Sequence, residues 1–167
     1  GFSGERQPMD YFRSLDIKIP AASAIRLDER NETIIFLRGE NLSGNLESDK
    51  AFAELRSKAL SAEIAMAFLS AHHGLFKLDN PFHELKTESV SSDDLGYTHV
   101  KFKQMFDAIP ILNAEIIVHL NRLNQVYLIN GRYVQTPTNL NTSPEISREE
   151  AVRRVSEHIG NIAPKVS

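Results

Sequence analysis

The sequence predicts an α+β domain in which an antiparallel β-meander packs against one long α-helix. Three observations lead there. Apolar and polar residues alternate from Tyr97 to Gln135 with two turn-like interruptions, a broad apolar stripe recurs at helical spacing from Asp49 to His73, and a Pro-, Thr- and Asn-rich segment from Thr136 to Pro144 ends the pattern. The chain has 167 residues, enough to bury a core without crosslinks. It contains no cysteine, which excludes disulfides, thiolate metal sites and a cysteine nucleophile. A net charge of -3 provides no basic field for a phosphate backbone, so nucleic acid is not expected as a partner. No apolar run approaches the roughly 20 residues that span a bilayer.

Residues 1–20, with Pro8 and Pro20, show no period and read as an N-terminal arm. The domain proper is expected over 21–137. Its first strand pair is Ser23 to Leu27 and Thr33 to Leu37, joined by a turn at Asp28-Glu29-Arg30-Asn31. A helix from Asp49 to His73 follows, capped by Ser48 or Asp49. Phe52, Leu55, Ala59, Ala62, Met66 and Leu69, with Leu60, Ile64 and Phe68 beside them, form its broad apolar stripe, and Gly74 is placed to end it in a left-handed conformation. Leu75 to Phe82 reads as a connector stopped by Pro81, and His83 to Val90 as a strand.

The meander carries the strongest β signal. Val100, Phe102 and Phe106 share one face of its first strand, and Tyr97, His99, Lys101 and Lys103 the other. Asp107-Ala108-Ile109-Pro110 reads as the turn, with Pro110 outside the ladder. In the second strand Leu112, Ala114, Ile116, Val118 and Leu120 point to the core, and Asn113, Glu115, Ile117 and His119 away from it. Asn121 to Asn124 turns the chain into a third strand, Val126 to Val134. After a linker over 138–146, Ser147-Arg148-Glu149-Glu150 forms a capping box for a C-terminal helix, which reads as the truncated start of a second unit over 147–167.

Little in the sequence suggests catalysis. His83-Glu84-Leu85-Lys86-Thr87 falls short of a zincin motif, because Thr87 stands where the second histidine must face the same metal. His72 and His73 are adjacent at a helix end, where imidazoles interact with terminal carbonyls more readily than they share an ion. Glu115 and His119 share a strand face, but a solvated sheet face offers an acid/base couple no pocket. No glycine-rich phosphate loop or nucleophile elbow is present. No catalytic, cofactor-binding or metal-ligating residue is therefore assigned. One partner-contact face is proposed: Lys101, Lys103, Glu115, Ile117 and His119, with an ordinary solvated sheet face as the alternative.

Family resemblance goes further. Leu95-Gly96-Tyr97-Thr98-His99-Val100-Lys101-Phe102-Lys103-Gln104, Ala108 to Asn113, Ala114-Glu115-Ile116-Ile117-Val118-His119-Leu120, and Val126 to Pro137 resemble, in order and spacing, the core of the fungalysin/thermolysin propeptide (FTP) domain. The core motif spans 95–136. Pro144 to His158 resembles the start of a PepSY unit. The resemblance implies a cystatin-like fold and a non-catalytic propeptide of a secreted or periplasmic thermolysin-like zinc metalloprotease. Such a propeptide serves as intramolecular chaperone and inhibitor of the zymogen until cleaved, without a cofactor of its own, and its partner is the cognate protease domain in cis. With only the start of PepSY, weak inhibition by the isolated chain is expected. The alternative is a free-standing secreted binding or protease-inhibitor module.

Overall fold

The computed structural model describes residues 22–137 and 152–153. The chain divides into two compact units, Gly1–Thr136 and Pro137–Ser167, each taken by itself. In the second, Val152 and Arg153 are helical. The N-terminal arm, the linker and the rest of the capping-box helix lie outside the described residues.

The first unit begins with the expected hairpin, β1 (Ala22–Leu27) and β2 (Ile34–Gly39). The Asp28 carboxylate closes its turn by accepting the N–H groups of Arg30 at 2.8 Å and Asn31 at 3.0 Å. A short 3₁₀ turn, Gly44–Leu46, leads to α1 (Lys50–Ser57), capped by Asp49, which accepts the N–H of Phe52 at 2.9 Å.

The single long helix expected from Asp49 to His73 is in fact two helices, with α2 running over Ser61–Ala71. The break is a Schellman motif. Leu60 N–H donates to the Leu55 carbonyl at 3.1 Å, Ala59 N–H to that of Arg56 at 3.0 Å, and Ala59 takes φ +52° where glycine is usual. The change of direction exposes Ala59, leaves Ala62 and Met66 half-buried, and brings Ile64, Ala65, Phe68 and Leu69 into the core. Gly74 does not act as a left-handed stop: α2 ends at its cap His72, and Lys77 is the residue at positive φ, +53°.

The connector is core rather than surface, with Leu75, Phe76 and Leu78 each at most 1% exposed. Pro81 does not stop it but opens a one-turn helix, α3 (Pro81–Glu84), where its missing N–H costs nothing. The next strand is β3 (Leu85–Ser92), so His83 and Glu84 are helical.

Then β4 (Thr98–Phe106), β5 (Ile109–Leu120) and β6 (Val126–Arg132) form the predicted meander. Among the described residues all six strands join one antiparallel sheet of order β1-β2-β6-β5-β4-β3. α2 packs over β3, β4 and β5, and its buried side chains form one core with Ile34, Leu37, Val100, Phe102, Ile116, Val118 and Leu120.

The β4–β5 turn is tighter than expected. Asp107 and Ala108 alone make it, at φ +45° and +64°, as a primed hairpin turn requires. Pro110 is therefore inside the strand pair, opposite Met105. The register then slips between Lys103 and Met105, and Asn113 adopts φ +57°. Gln104 continues the inward face of Val100 and Phe102, but the irregularity breaks the alternation beyond it: Phe106 is only half-buried, and Leu112, expected in the core, is 87% exposed. Gln104 is buried because its amide imitates a strand. It donates to the Val134 carbonyl at 2.7 Å and accepts the Val134 N–H at 3.0 Å.

Candidate functional site: a histidine row on the polar sheet face

The five residues assigned to a contact face lie together on the side of the sheet opposite the helices. The ladder sets Lys101 beside Ile117 and Lys103 beside Glu115, with His119 one step further, beside His99. Lys101 Nζ is 3.5 Å from Glu115 Oε2, and Lys103 Nζ is 3.8 Å from Glu88 Oε1 on β3. These pairs are partly exposed, so they orient side chains more than they stabilise the fold. Farther along the same sheet, Arg26 stacks its guanidinium over Phe36, 4.9 Å from the ring centre.

His119 does not couple to Glu115. It belongs instead to a row of four side chains that the sequence did not disclose. His99 Nε2 lies 3.0 Å from Asp93 Oδ2, His99 Nδ1 lies 2.6 Å from His119 Nδ1, and His119 Nε2 lies 2.5 Å from Asn130 Oδ1. The imidazole centroids are 4.8 Å apart and nearly edge-to-face, and Tyr127 and Tyr97 continue the aromatic contact. Asp93 Oδ1 accepts the N–H groups of Leu95 and Tyr97. The Tyr97 N–H, more than His99, holds the Asp93 carboxyl below the usual aspartate range. Burial pushes His119 below the ordinary histidine value; the Asn130 bond opposes this and His99 adds to it. Burial also raises the Tyr127 hydroxyl, with Asp93 acting in the same sense.

Local register explains why the row was missed. Extrapolated from Met105 opposite Pro110, His99 would face Ile116 on the core side. The slip at Gln104 moves the partner by three residues to His119. The one available signal was Asn113, a residue that tolerates the left-handed conformation a bulge demands.

His72 and His73 serve structure. His73 Nδ1 meets the Leu78 carbonyl at 2.9 Å, in keeping with a role at a helix end. His72 is only 7% exposed and stacks against Phe68, and its Nε2 has no hydrogen-bond partner. Burial pushes it down to about 4. In the near-zincin segment Glu84 is already committed: it accepts from Asn80 N–H at 2.6 Å and from the Thr136 hydroxyl. Among the described residues no group of three His, Asp or Glu is placed to hold a metal ion, and no helix is long and apolar enough to cross a membrane.

The strands that carry this face fall within a propeptide motif. Residues 83–133, from α3 through β6, match the family described as Fungalysin/Thermolysin Propeptide Motif. The chain carries that motif. Its curated relatives include Bacillolysin of Bacillus subtilis (strain 168), 27% identical over 157 residues, and Bacillolysin of Bacillus amyloliquefaciens, 25% identical over 158. Each alignment covers 93% of this chain and 28% of the relative, so the chain spans little more than a quarter of the proteins it matches. No solved structure matches it.

Proposed function

We propose that this chain is the propeptide of a secreted thermolysin-like zinc metalloprotease, acting as intramolecular chaperone and as inhibitor until it is cleaved. The observation that carries the reading is the propeptide motif over residues 83–133, within an alignment that takes in 93% of this chain and only 28% of a Bacillolysin. On this reading residues 21–137 are a cystatin-like FTP domain, 138–146 a linker and 147–167 the start of a PepSY unit. The partner is the cognate protease domain in cis, outside the cell or in the periplasm. A template that binds the folded protease more tightly than its unfolded forms raises the native yield by mass action.

The face bearing Lys101, Lys103, Glu115, Ile117 and His119 is the proposed contact. Ile117 is a half-buried apolar side chain among charges, an arrangement suited to a partner that covers it. The test is refolding of the denatured cognate protease domain with the chain supplied in trans. The expected outcome is a several-fold higher recovery of proteolysis, lost with Ile117→Asp. Equal recovery with and without the chain would move the function to a free-standing secreted binding module, and equal recovery with wild type and Ile117→Asp would remove this face.

A further inference from the structure

The protons of the Asp93–His99–His119–Asn130 row do not balance with two neutral rings. Ionised Asp93 offers only acceptors, so His99 Nε2, 3.0 Å from its Oδ2, carries a proton. Asn130 Oδ1 also accepts, so His119 Nε2, 2.5 Å away, carries another. A neutral imidazole has one N–H. Both Nδ1 atoms would then be bare lone pairs, aimed at each other across 2.6 Å. A single added proton turns that repulsion into a charge-assisted N–H···N bond.

A metal ion fits less well. Zinc–nitrogen bonds of about 2.0–2.1 Å in tetrahedral geometry would hold the nitrogens more than about 3 Å apart. No third protein ligand stands nearby among the described residues.

We propose that His99 and His119 share one proton, and that this one-proton site makes docking of the sheet face dependent on pH; the second half rests on reading this face as the partner surface. The shared proton resides on His99, where the Asp93 carboxylate compensates it, while His119 stays neutral beside Asn130. Adding a second proton sets two imidazolium rings 4.8 Å apart and opens the pair. The groups around it act in known senses. Asp93, from the β3–β4 turn, favours the first proton. Among the cations of this face, Lys101 on β4 is paired with Glu115 on β5, and Arg38 on β2 acts on Tyr127. Tyr97 from the β3–β4 turn and Tyr127 and Asn130 on β6 complete the surroundings without charge.

Imidazole ¹⁵N NMR on the 167-residue chain tests the site directly. The expected result is a protonated Nε2 on both rings, one proton shared between the Nδ1 atoms near neutral pH, and two titration steps more than about one unit apart. His99→Gln should leave His119 with a single step. Coincident steps, a neutral pair with the His119 proton on Nδ1, or a shift of both rings by one equivalent of Zn²⁺ would each overturn the assignment. The second arm measures affinity for the separately folded cognate protease domain at pH 8 and pH 5.5. Wild type should weaken by about tenfold or more at pH 5.5, and His99→Gln/His119→Gln by much less. His72 is present in both proteins, so its own titration cancels. If Ile117→Asp leaves binding at pH 8 unchanged, the contact face is wrong and the coupling falls with it. If Ile117→Asp abolishes binding but both histidine backgrounds share one pH dependence, the face stands and the switch is overturned.

Discussion

His72 should make this domain acid-labile, and His72→Phe should relieve much of that sensitivity. The imidazole caps α2 inside the core, 7% exposed, with its Nε2 unpartnered and Phe68 against its ring. Burial holds its native pKa at about 4, against an ordinary histidine value of 6.5. Above the unfolded value neither state binds a proton, and the native state keeps its full stability. As pH falls below it, the unfolded chain is protonated and the native state is not, so stability drops until the folded value is reached. At 1.36 kcal/mol per unit, the loss is about 2 kcal/mol by pH 5 and about 3 kcal/mol by pH 4. Phenylalanine keeps the ring packing, removes the orphan nitrogen and has no proton to bind. Urea unfolding followed by circular dichroism at pH 7.5 and pH 5 is the assay. The expected outcome is that wild type loses about 2 kcal/mol more than His72→Phe between the two. Parallel losses in both proteins would refute the reasoning, because His119 and the carboxylates titrate equally in each.

Two further predictions concern the backbone. At Gly131, opposite Ile116, an added Cβ would lie 2.2 Å from the Glu115 carbonyl oxygen and 3.0 Å from Ile116 Cα. Both are backbone atoms of a central strand, so Gly131→Ala should cost about 3 kcal/mol or more in urea unfolding, and a loss below about 1 kcal/mol would show that β5 and β6 separate easily. Ala59 and Ala108 hold left-handed conformations, at φ +52° and +64°, without glycine's freedom. Ala59→Gly and Ala108→Gly should each raise stability by about 0.5–1 kcal/mol and add in combination, since they lie on separate elements; no gain would mean that the glycine's unfolded-state entropy cancels the relief.

How much was legible follows from the range of each signal. The Ile34-to-Leu37 run, the Asp28 turn and the alternation from Ala114 to Leu120 are set by nearest neighbours, and the strands form where the pattern puts them. Asp49 was readable as a cap because its bond to Phe52 spans three residues. The break at Ala59 was not, because alanine carries the highest helix propensity and no stop signal. The bend at that residue lets Phe68 and Leu69 be buried together with Phe52, a gain that no local signal records. Leu112 was misplaced for a related reason: period-2 alternation carries no mark where a bulge resets it. The five-residue contact face was legible as a face because it lies beyond the bulge, where alternation is intact. His99 was legible on the same strand face as Lys101 and Lys103, but its meeting with His119, and the places of Asp93 and Asn130 beside the pair, depend on a register set at Gln104.

By itself, then, the sequence determined the α+β class, the order of strands in the meander and, from Ala114 to Leu120, the side that faces water, since periodicity and turn chemistry act within a few residues; the propeptide motif was legible by resemblance. Tertiary structure alone decided that one amphipathic stretch becomes two helices, that β1 and β2 join the meander through β6, and that two histidines twenty residues apart meet at 2.6 Å. Those outcomes turn on which surfaces pack and which register the ladder adopts. Both are global balances of burial against backbone strain that no local pattern encodes.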